Sequence, residues 1–400
     1  MINFQKLSSE YRRILEEDIL RWWLHHAVDH EHGGVLSCIK DNGSVVSDDK
    51  YVWSQTRALW TFSAAFNRIQ PNPTYMAVAD RLFEFLVKHG RNEHGRWRYL
   101  LSRQGDCKQD ATSIQTDAFA ICGLVEYARA TKRQEPVDLA RQTYQCVLHH
   151  LRNPGSYETT PYPLPEGTKA QRVSMQFSLA FWELGKLLND QDILSQGMAL
   201  TDDVLDHFRQ PDQQAIVEYL SLDNSCLPAP FGTLMGPGHG IETAWFQLEN
   251  IRHLQETERK HKAIEVMQWS LERGWDQNYG GLFLHVDLAG GEPLLPHANK
   301  KLSWVHSEAL CGLPMAYEAC GESWTIEWHQ RITDWTFRSF PNPEHGEWHH
   351  RLDRQGQPVE EVIALPVKDP FHIPRGLIYA VETFDRLSWS DGHTQQPPEL

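Results

Sequence analysis

Residues 32–62, HGGVLSCIKDNGSVVSDDKYVWSQTRALWTF, decide the fold, because the rest of the chain repeats their plan. The stretch runs from glycine through a short alternating strand and a polar turn, KDNGS, to a second polar stretch and an amphipathic helix. The same order returns in HGRWRYLLSRQGDCKQDATSIQTDAFAI (94–121), YGGLFLHVDLAGGEPLLPHANKKLSWVHSEAL (279–310) and HGEWHHRLDRQGQPVEEVIALPVKDPFHIPRGL (345–377). Their turns, SRQGD, DLAGGE and DRQGQ, have the glycine and short polar residues that close hairpins. The first two copies lie 62 residues apart and the last two 66. Steps of similar length from the second copy meet two looser versions, SYETTPYPLPEGTKAQRVSMQFSLAFWELG (156–185) and VEYLSLDNSCLPAPFGTLMGPGHGIETAWFQL (217–248). Six units therefore fill the chain, each a hairpin or long loop followed by two helices. The second helices are clearest in residues 74–90, 136–151 and 260–275.

Six helix pairs form either an open solenoid or a closed ring. A solenoid needs polar capping units at its ends. Here the last unit, FHIPRGLIYAVETF (371–384), is as apolar and aromatic as the middle ones, which predicts closure. The expected fold is all-α: one (α/α)6 barrel over residues 1–400, with short β-hairpins crowded at one end. The composition supplies the core, with 40% hydrophobic residues and fifteen tryptophans. A formal net charge of −15, with no basic block against it, argues against a nucleic-acid partner. No apolar run reaches the roughly 18 residues that cross a bilayer. The first twenty residues, MINFQKLSSEYRRILEEDIL, read as a charged amphipathic helix rather than a leader. Seven cysteines, an odd number without a CxxC pair, indicate reduced thiols and a cytoplasmic setting. Cys122 and Cys311 fall in apolar helical runs and read as core.

If the units are equivalent, the mouth of each first helix faces one pocket. That register holds Trp53 and Arg57, Gln115, Gln176, His239 with Glu242, Trp304 with Glu308, and His372 with Arg375. Flat aromatic rings with amides, carboxylates and arginine are what a sugar site uses, rings for the apolar faces and polar groups for hydroxyls. His239, in GPGHGIETAW (236–245), and His372, in FHIPRG, come from the fourth and sixth units. Imidazoles suit proton transfer near neutrality, and Arg57 would hold a developing enolate oxygen beside helix N-termini. Two opposed bases and an oxyanion group suit proton abstraction next to a carbonyl.

Each residue also has a structural reading. His239 could cap its helix, His372 could be a core histidine, and Arg57 could pair with a carboxylate. Glu242 could be a first-turn acid favoured by the dipole, and Glu308 could orient a neighbour. The ligand-rich runs DHEHGG (29–34) and HGEWHH (345–350) lack the spacing of a zinc site and read as surface hairpin residues. No metal and no cofactor are expected. GPGHG lacks the lysine of a phosphate-binding loop.

In VWSQTRALWTFS, PGHGIETAWF, WDQNYGGLFLHVD, KLSWVHSEAL, HGEWHHRLDRQG and FHIPRG the chain resembles the N-acyl-D-glucosamine 2-epimerase family, related to cellobiose and mannose 2-epimerases, along nearly its whole length. The resemblance implies a metal-free barrel enzyme that opens the sugar ring, takes the C2 proton, and reprotonates a cis-enediolate from the other face. On matching positions it implies His239 and His372 as the acid/base pair and Arg57 as the oxygen-binding group. Glu242 would hold a histidine or a hydroxyl, and Trp53, Gln115, Gln176, Trp304 and Glu308 would bind the sugar. The implied reaction is interconversion of N-acetylglucosamine and N-acetylmannosamine in the cytoplasm, with a possible homodimer. The alternatives are a mannose/glucose 2-epimerase, a mannose–fructose isomerase, and an (α/α)6 glycoside hydrolase using carboxylates such as Glu242, Glu308 and Asp117. Two departures concern substrate and effector. Gln115 and Gln176 stand where free-sugar and disaccharide relatives have tyrosine and histidine and where the N-acyl enzymes have apolar residues. The loop PLPEGTK keeps Lys169 but departs from the glycine-containing loop of nucleotide-stimulated relatives, so ATP is not expected as an effector.

Overall fold

A computed structural model describes residues 2–360 and 365–392. The N-terminal helix α1 (Phe4–Arg13) passes through a π-helical stretch, Ile14–Leu20, into α2 (Arg21–His26). Alternating helices follow: α3 (Val52–Ala64), α4 (Pro73–His89), α5 (Ile114–Thr131), α6 (Gln134–Arg152), α7 (Gln171–Leu188) and α8 (Gln191–Asp202). The series ends with α9 (Pro237–Ile251), α10 (Thr257–Gly274), α11 (Ser303–Cys320), α12 (Ser323–Ser339) and α13 (His372–Gly392).

Burial sorts these helices into two layers. Almost every residue of α3, α5, α9 and α11 is buried, polar side chains such as Gln55, Thr61 and Gln247 included, so these helices form the inner layer. α4 instead buries one stripe, Tyr75, Val78, Ala79, Leu82, Phe83, Phe85 and Leu86. The odd-numbered helices from α3 to α13 pack in sequence around a ring, and α13 returns to α3. Each even-numbered helix from α4 to α12 packs on the outside of the helix before it. The ring is sealed where Tyr379 stacks on Trp60 with centroids 6.0 Å apart and Thr61 donates to the Pro370 carbonyl. This is the (α/α)6 barrel expected from the repeat.

The sixth pair differs from the expectation of two helices in every unit. The partner of α13 is α1, from the other end of the chain. Phe4 and Tyr11 lie against Phe384 at 6.1 and 5.3 Å, Ser8 donates to Asp385, and Arg12 reaches the Ile69 carbonyl at 2.9 Å. The charged amphipathic N-terminus thus supplies the missing outer helix.

The strands are two or three residues long. Cys38–Ile39 and Leu100–Leu101 form hairpins across their own turns, with Val45–Ser47 and Cys107–Gln109. The others mainly tie neighbouring units: Lys50–Tyr51 to Leu100–Leu101, Thr168–Ala170 to Tyr219–Ser221, Leu234–Met235 to Val286–Asp287, and Lys301–Leu302 to Arg351–Leu352. DLAGGE makes a turn without a hairpin of its own, and residues 361–364 of the last unit lie outside the described residues.

Buried ion clusters anchor this end of the barrel. Lys50 donates to Asp29 at 2.9 Å and to the carbonyls of Gly33 and Arg103, while Arg103 grips Asp29 with two nitrogens at 2.9 and 3.0 Å. Lys301, Asp276 and Arg354 repeat the arrangement in the fifth unit at 3.1, 2.8 and 3.2 Å. The reading of DHEHGG and HGEWHH as surface residues holds for His30, Glu31 and His345, which are exposed, and is corrected for Asp29 and Glu347. Asp29 is buried because it neutralises Lys50, and Glu347 is buried because it pairs with Lys368 at 2.5 Å. Among the described residues no helix is long and apolar enough to cross a membrane.

Candidate active site

The six inner mouths open on one cavity of about 190 Å³ at the hairpin end. Trp53, Arg57, Gln115, Gln176, His239, Glu242, Trp304 and His372 all line it. No side chain caps α3, α5, α7, α9 or α11; the first N–H of α3, α5, α7 and α11 donates instead to the carbonyls of Tyr99, Glu158, Glu218 and His350, and the positive ends of these helix dipoles lie at the cavity end.

His239 and His372 lie on either side of Trp304, each 5.3 Å from it between ring centroids. Each ring is fixed by a carboxylate at Nδ1: Glu218 Oε1 at 2.8 Å for His239 and Glu308 Oε1 at 2.7 Å for His372. A carboxylate accepts there, so Nδ1 carries the proton and Nε2 is the nitrogen left for chemistry. The glycines of GPGHG make this approach possible. A Cβ on Gly236 would fall 2.5 Å from Glu218 Oε1, and one on Gly238 would fall 2.6 Å from the Trp304 ring.

The two histidines have opposite charge tendencies. Burial works against a charged His239, but Glu218 and then Glu242 outweigh it and raise its pKa above the ordinary value. His372 is pushed well below the ordinary value by burial and by the cations Arg57 and Arg375. The Glu218 carboxyl is held at about 2, against the upward effect of burial, by His239 and Arg172. The two rings thus favour different protonation states within one site.

Arg57 donates to Asp369 at 3.2 Å, and its guanidinium carbon sits 3.9, 4.3 and 4.7 Å from the ring centres of Phe119, Trp53 and Phe371. It is thus a cation with a fixed position at the cavity wall. Arg375 bridges Glu242 and Glu308. Donor atoms of Glu242, Glu308 and His372 lie within 4.8 Å of one another, yet the Arg375 guanidinium already occupies the place between both carboxylates. Glu308 corrects the expectation of a sugar-binding residue. It is fully buried behind His372, with one oxygen on His372 and Arg375 and the other accepting from Trp245 Nε1 at 2.8 Å. Asp117 lies outside the cavity, bound to Arg96 at 2.8 Å.

The cavity also has residues that the repeat did not reveal. Arg172 donates to Thr159 at 2.9 Å and to the Tyr162 carbonyl at 2.7 Å, and lies 3.6 Å from Glu218. It ties a loop that lines the cavity through Thr160, Pro161 and Tyr162 to the carboxylate behind His239. His285 faces Tyr162, and burial lowers its pKa to about 4. His350, from HGEWHH, also lines the cavity, and Asp369 holds Arg57. His350 had a legible signal. It lies two residues past Trp348, as Tyr99 and Leu284 lie two past Trp97 and Leu282, and those three hold equivalent bridge positions.

Barrel and site together define a class of (α/α)6 enzymes whose pocket is built at the mouths of the inner helices. The family model for N-acylglucosamine 2-epimerase matches residues 34–374. The chain is 28% identical to human N-acylglucosamine 2-epimerase over 382 residues, covering 92% of this chain and 88% of that protein. Among solved structures, cellobiose 2-epimerase from Bacillus thermoamylovorans superposes with a TM-score of 0.84 at 21% identity, over 94% of this chain and 99% of that one. A family 76 glycoside hydrolase (mannosidase) from Bacteroides thetaiotaomicron shares the barrel with a TM-score of 0.61 at 13% identity, over 97% and 98%. The chain belongs to the N-acylglucosamine 2-epimerase family, and with it to the carbohydrate epimerases.

Proposed function

We propose that the protein interconverts N-acylglucosamine and N-acylmannosamine, one of His372 and His239 removing the C2 proton and the other delivering its own proton to the opposite face. The observation that carries this reading is the pair of imidazoles flanking Trp304, each oriented by a carboxylate, with His239 favouring the cation and His372 the neutral ring. With the sugar in its open aldehyde form, neutral His372 takes the C2 proton through Nε2. Arg57, held by Asp369, stabilises the enolate oxygen on C1. Cationic His239 returns a proton through its Nε2 to the other face of C2. In the reverse direction the two exchange roles.

A hydrolase reading finds less support. It requires an acid and a base or nucleophile flanking a glycosidic bond. Here Glu218, Glu242, Glu308 and Asp369 are each engaged with histidine or arginine. The same proton transfer ending at C1 would make a ketose, so product identity is part of the test.

The wider reading is a cytoplasmic enzyme of carbohydrate metabolism whose activity resides in this one barrel. It uses no cofactor and no metal, has no nucleic-acid partner, and assembles as a homodimer. Free cysteines and the −15 charge support the compartment and the absence of nucleic acid.

Incubation in D2O with N-acetylmannosamine, mannose or cellobiose, followed by NMR, tests the reaction. Deuterium should enter C2 of N-acetylmannosamine as N-acetylglucosamine appears. Exchange at C1 with a ketose product would instead make the protein an isomerase. Absence of exchange from all three sugars would refute the proton-transfer reading.

A further inference from the structure

We propose that Gln115 and Gln176 form a clamp for the amide of the sugar's 2-acylamino group, and that the small cavity behind Phe119 receives the acyl methyl. This inference rests on the epimerase reading above and names what its pocket selects.

Gln115 Nε2 donates to Gln176 Oε1 at 3.2 Å, and Gln115 Oε1, buried in the cavity wall, has no partner. Two primary amides bonded in this way still offer an acceptor on one and a donor on the other. Turning both amides over exchanges those parts without removing either. A secondary amide carries one N–H and one C=O and meets both at once. A hydroxyl has only a single atom to offer.

The ring order places this clamp at C2. Around the barrel α9 and α13, which carry the two histidines, flank α11, and α5 lies across from α11. The plane separating the histidines therefore runs from Trp304 on α11 to Gln115 on α5. An enolate across C1 and C2 is flat and must lie near this plane to receive protons from either side. In its cis form the C1 oxygen and the C2 nitrogen share one edge. Arg57 on α3 and Gln176 on α7 adjoin α5 on the two sides of this plane, so an oxygen reaching Arg57 at the α5 edge leaves the nitrogen at Gln115, with Gln176 beside it.

Behind them is a cavity of about 20 Å³ that shares Phe119 and Gln176 with the active-site cavity. Ala118, Cys122, Leu179 and Phe246 give it a largely apolar lining, and the ion-paired side chains of Glu126, Arg129, Glu183 and Arg375 also border it. Space of this order holds one water-sized group, the size of a methyl and no larger chain. The glutamines thus take the polar part of an acetamido group, and the apolar wall takes the rest.

The test compares kcat/KM of the wild-type protein for N-acetyl-, N-propanoyl- and N-butanoylmannosamine and for mannose, read by NMR as C2 deuterium exchange. The same comparison of N-acetylmannosamine with mannose is made for Gln115→Leu and Gln176→Leu. The wild type should lose about ten-fold or more from acetyl to butanoyl, and each variant should lower the acetyl-to-mannose ratio by about ten-fold or more. The acyl series needs no variant, so a misfolded variant does not obscure the answer. An acyl series without length dependence, or an unchanged ratio in both folded variants, overturns the proposal and leaves the epimerase reading intact. Exchange with mannose but not N-acetylmannosamine also overturns it. Exchange with no sugar overturns the epimerase reading itself.

Discussion

In the proposed reaction Nε2 of His239 and Nε2 of His372 act on one carbon from two sides, and what distinguishes the two rings is the charge around each. Their working state is one proton shared between two sites, so activity ends when the pair gains a second proton or loses its only one. The second proton goes to His372, whose pKa lies well below the ordinary histidine value, so the acid limb of kcat/KM should lie far below neutrality. The only proton leaves from His239, whose pKa is raised, so the alkaline limb should lie above the ordinary histidine range. Glu218→Gln removes the carboxylate responsible for that rise, and the alkaline limb should then move to lower pH. A pH profile of C2 exchange checks this, and an unmoved alkaline limb would detach Glu218 from His239. Asparagine at either histidine keeps a polar side chain but cannot shuttle the proton. His239→Asn and His372→Asn should each lower kcat by about 10² to 10⁴ with native circular dichroism. Near-normal turnover in either variant would remove that residue from the pair.

The loop that leads into α7 shows how an element reaches the site without a signature of its own. Arg172 is 3% exposed and holds Thr159, Tyr162 and the neighbourhood of Glu218 together. Its charge also lowers the His239 pKa. Arg172→Gln should therefore release the loop and raise KM by about ten-fold, while moving the alkaline limb to higher pH, opposite to the effect of Glu218→Gln. Measuring both variants together separates a positioning role from a loss of fold, since plain destabilisation would not shift the limb. Arg172, Glu218 and His285 went unseen in the sequence for two physical reasons. Arg172 and Glu218 belong to the looser third and fourth units, where the strand register that marks a helix mouth is missing, and His285 stands one residue past the repeat position of Leu284, where the other copies have no titratable side chain in the cavity. His239, Trp304 and His372 are legible because each stands within the first three residues of a first helix, a fixed place within the repeat. Glu308 was legible as a site residue, though not as one buried behind His372, since only the packing of α11 on α13 decides which side it faces.

At the scale of the whole molecule, ring closure is the property that local patterns describe least. The repeat indicates that a sixth pair is needed, but its outer helix comes from residues more than 300 positions away, and a contact such as Phe4 with Phe384 leaves no trace near either residue. Closure also has a thermodynamic consequence. An open solenoid is a sum of neighbouring repeats and can unfold in stages, whereas a ring with no free end has no repeat that can leave first. Tyr11 joins three parts of that ring, packing on Phe384 and Phe337 and reaching His329 with its hydroxyl at 3.2 Å. Tyr11→Ala should cost about 3 kcal/mol, in the range for truncating a buried aromatic side chain. In a closed ring that loss should lower the stability of every unit together. Urea unfolding followed by far-ultraviolet circular dichroism, tryptophan fluorescence and residual C2 exchange should then give coincident transitions, all shifted to lower denaturant. Activity falling well before the circular dichroism in the variant would mean that α1 and α13 detach as a separate unit, with His372 and Arg375 going with them, and that the ring is held more weakly at this seam than between its other helices.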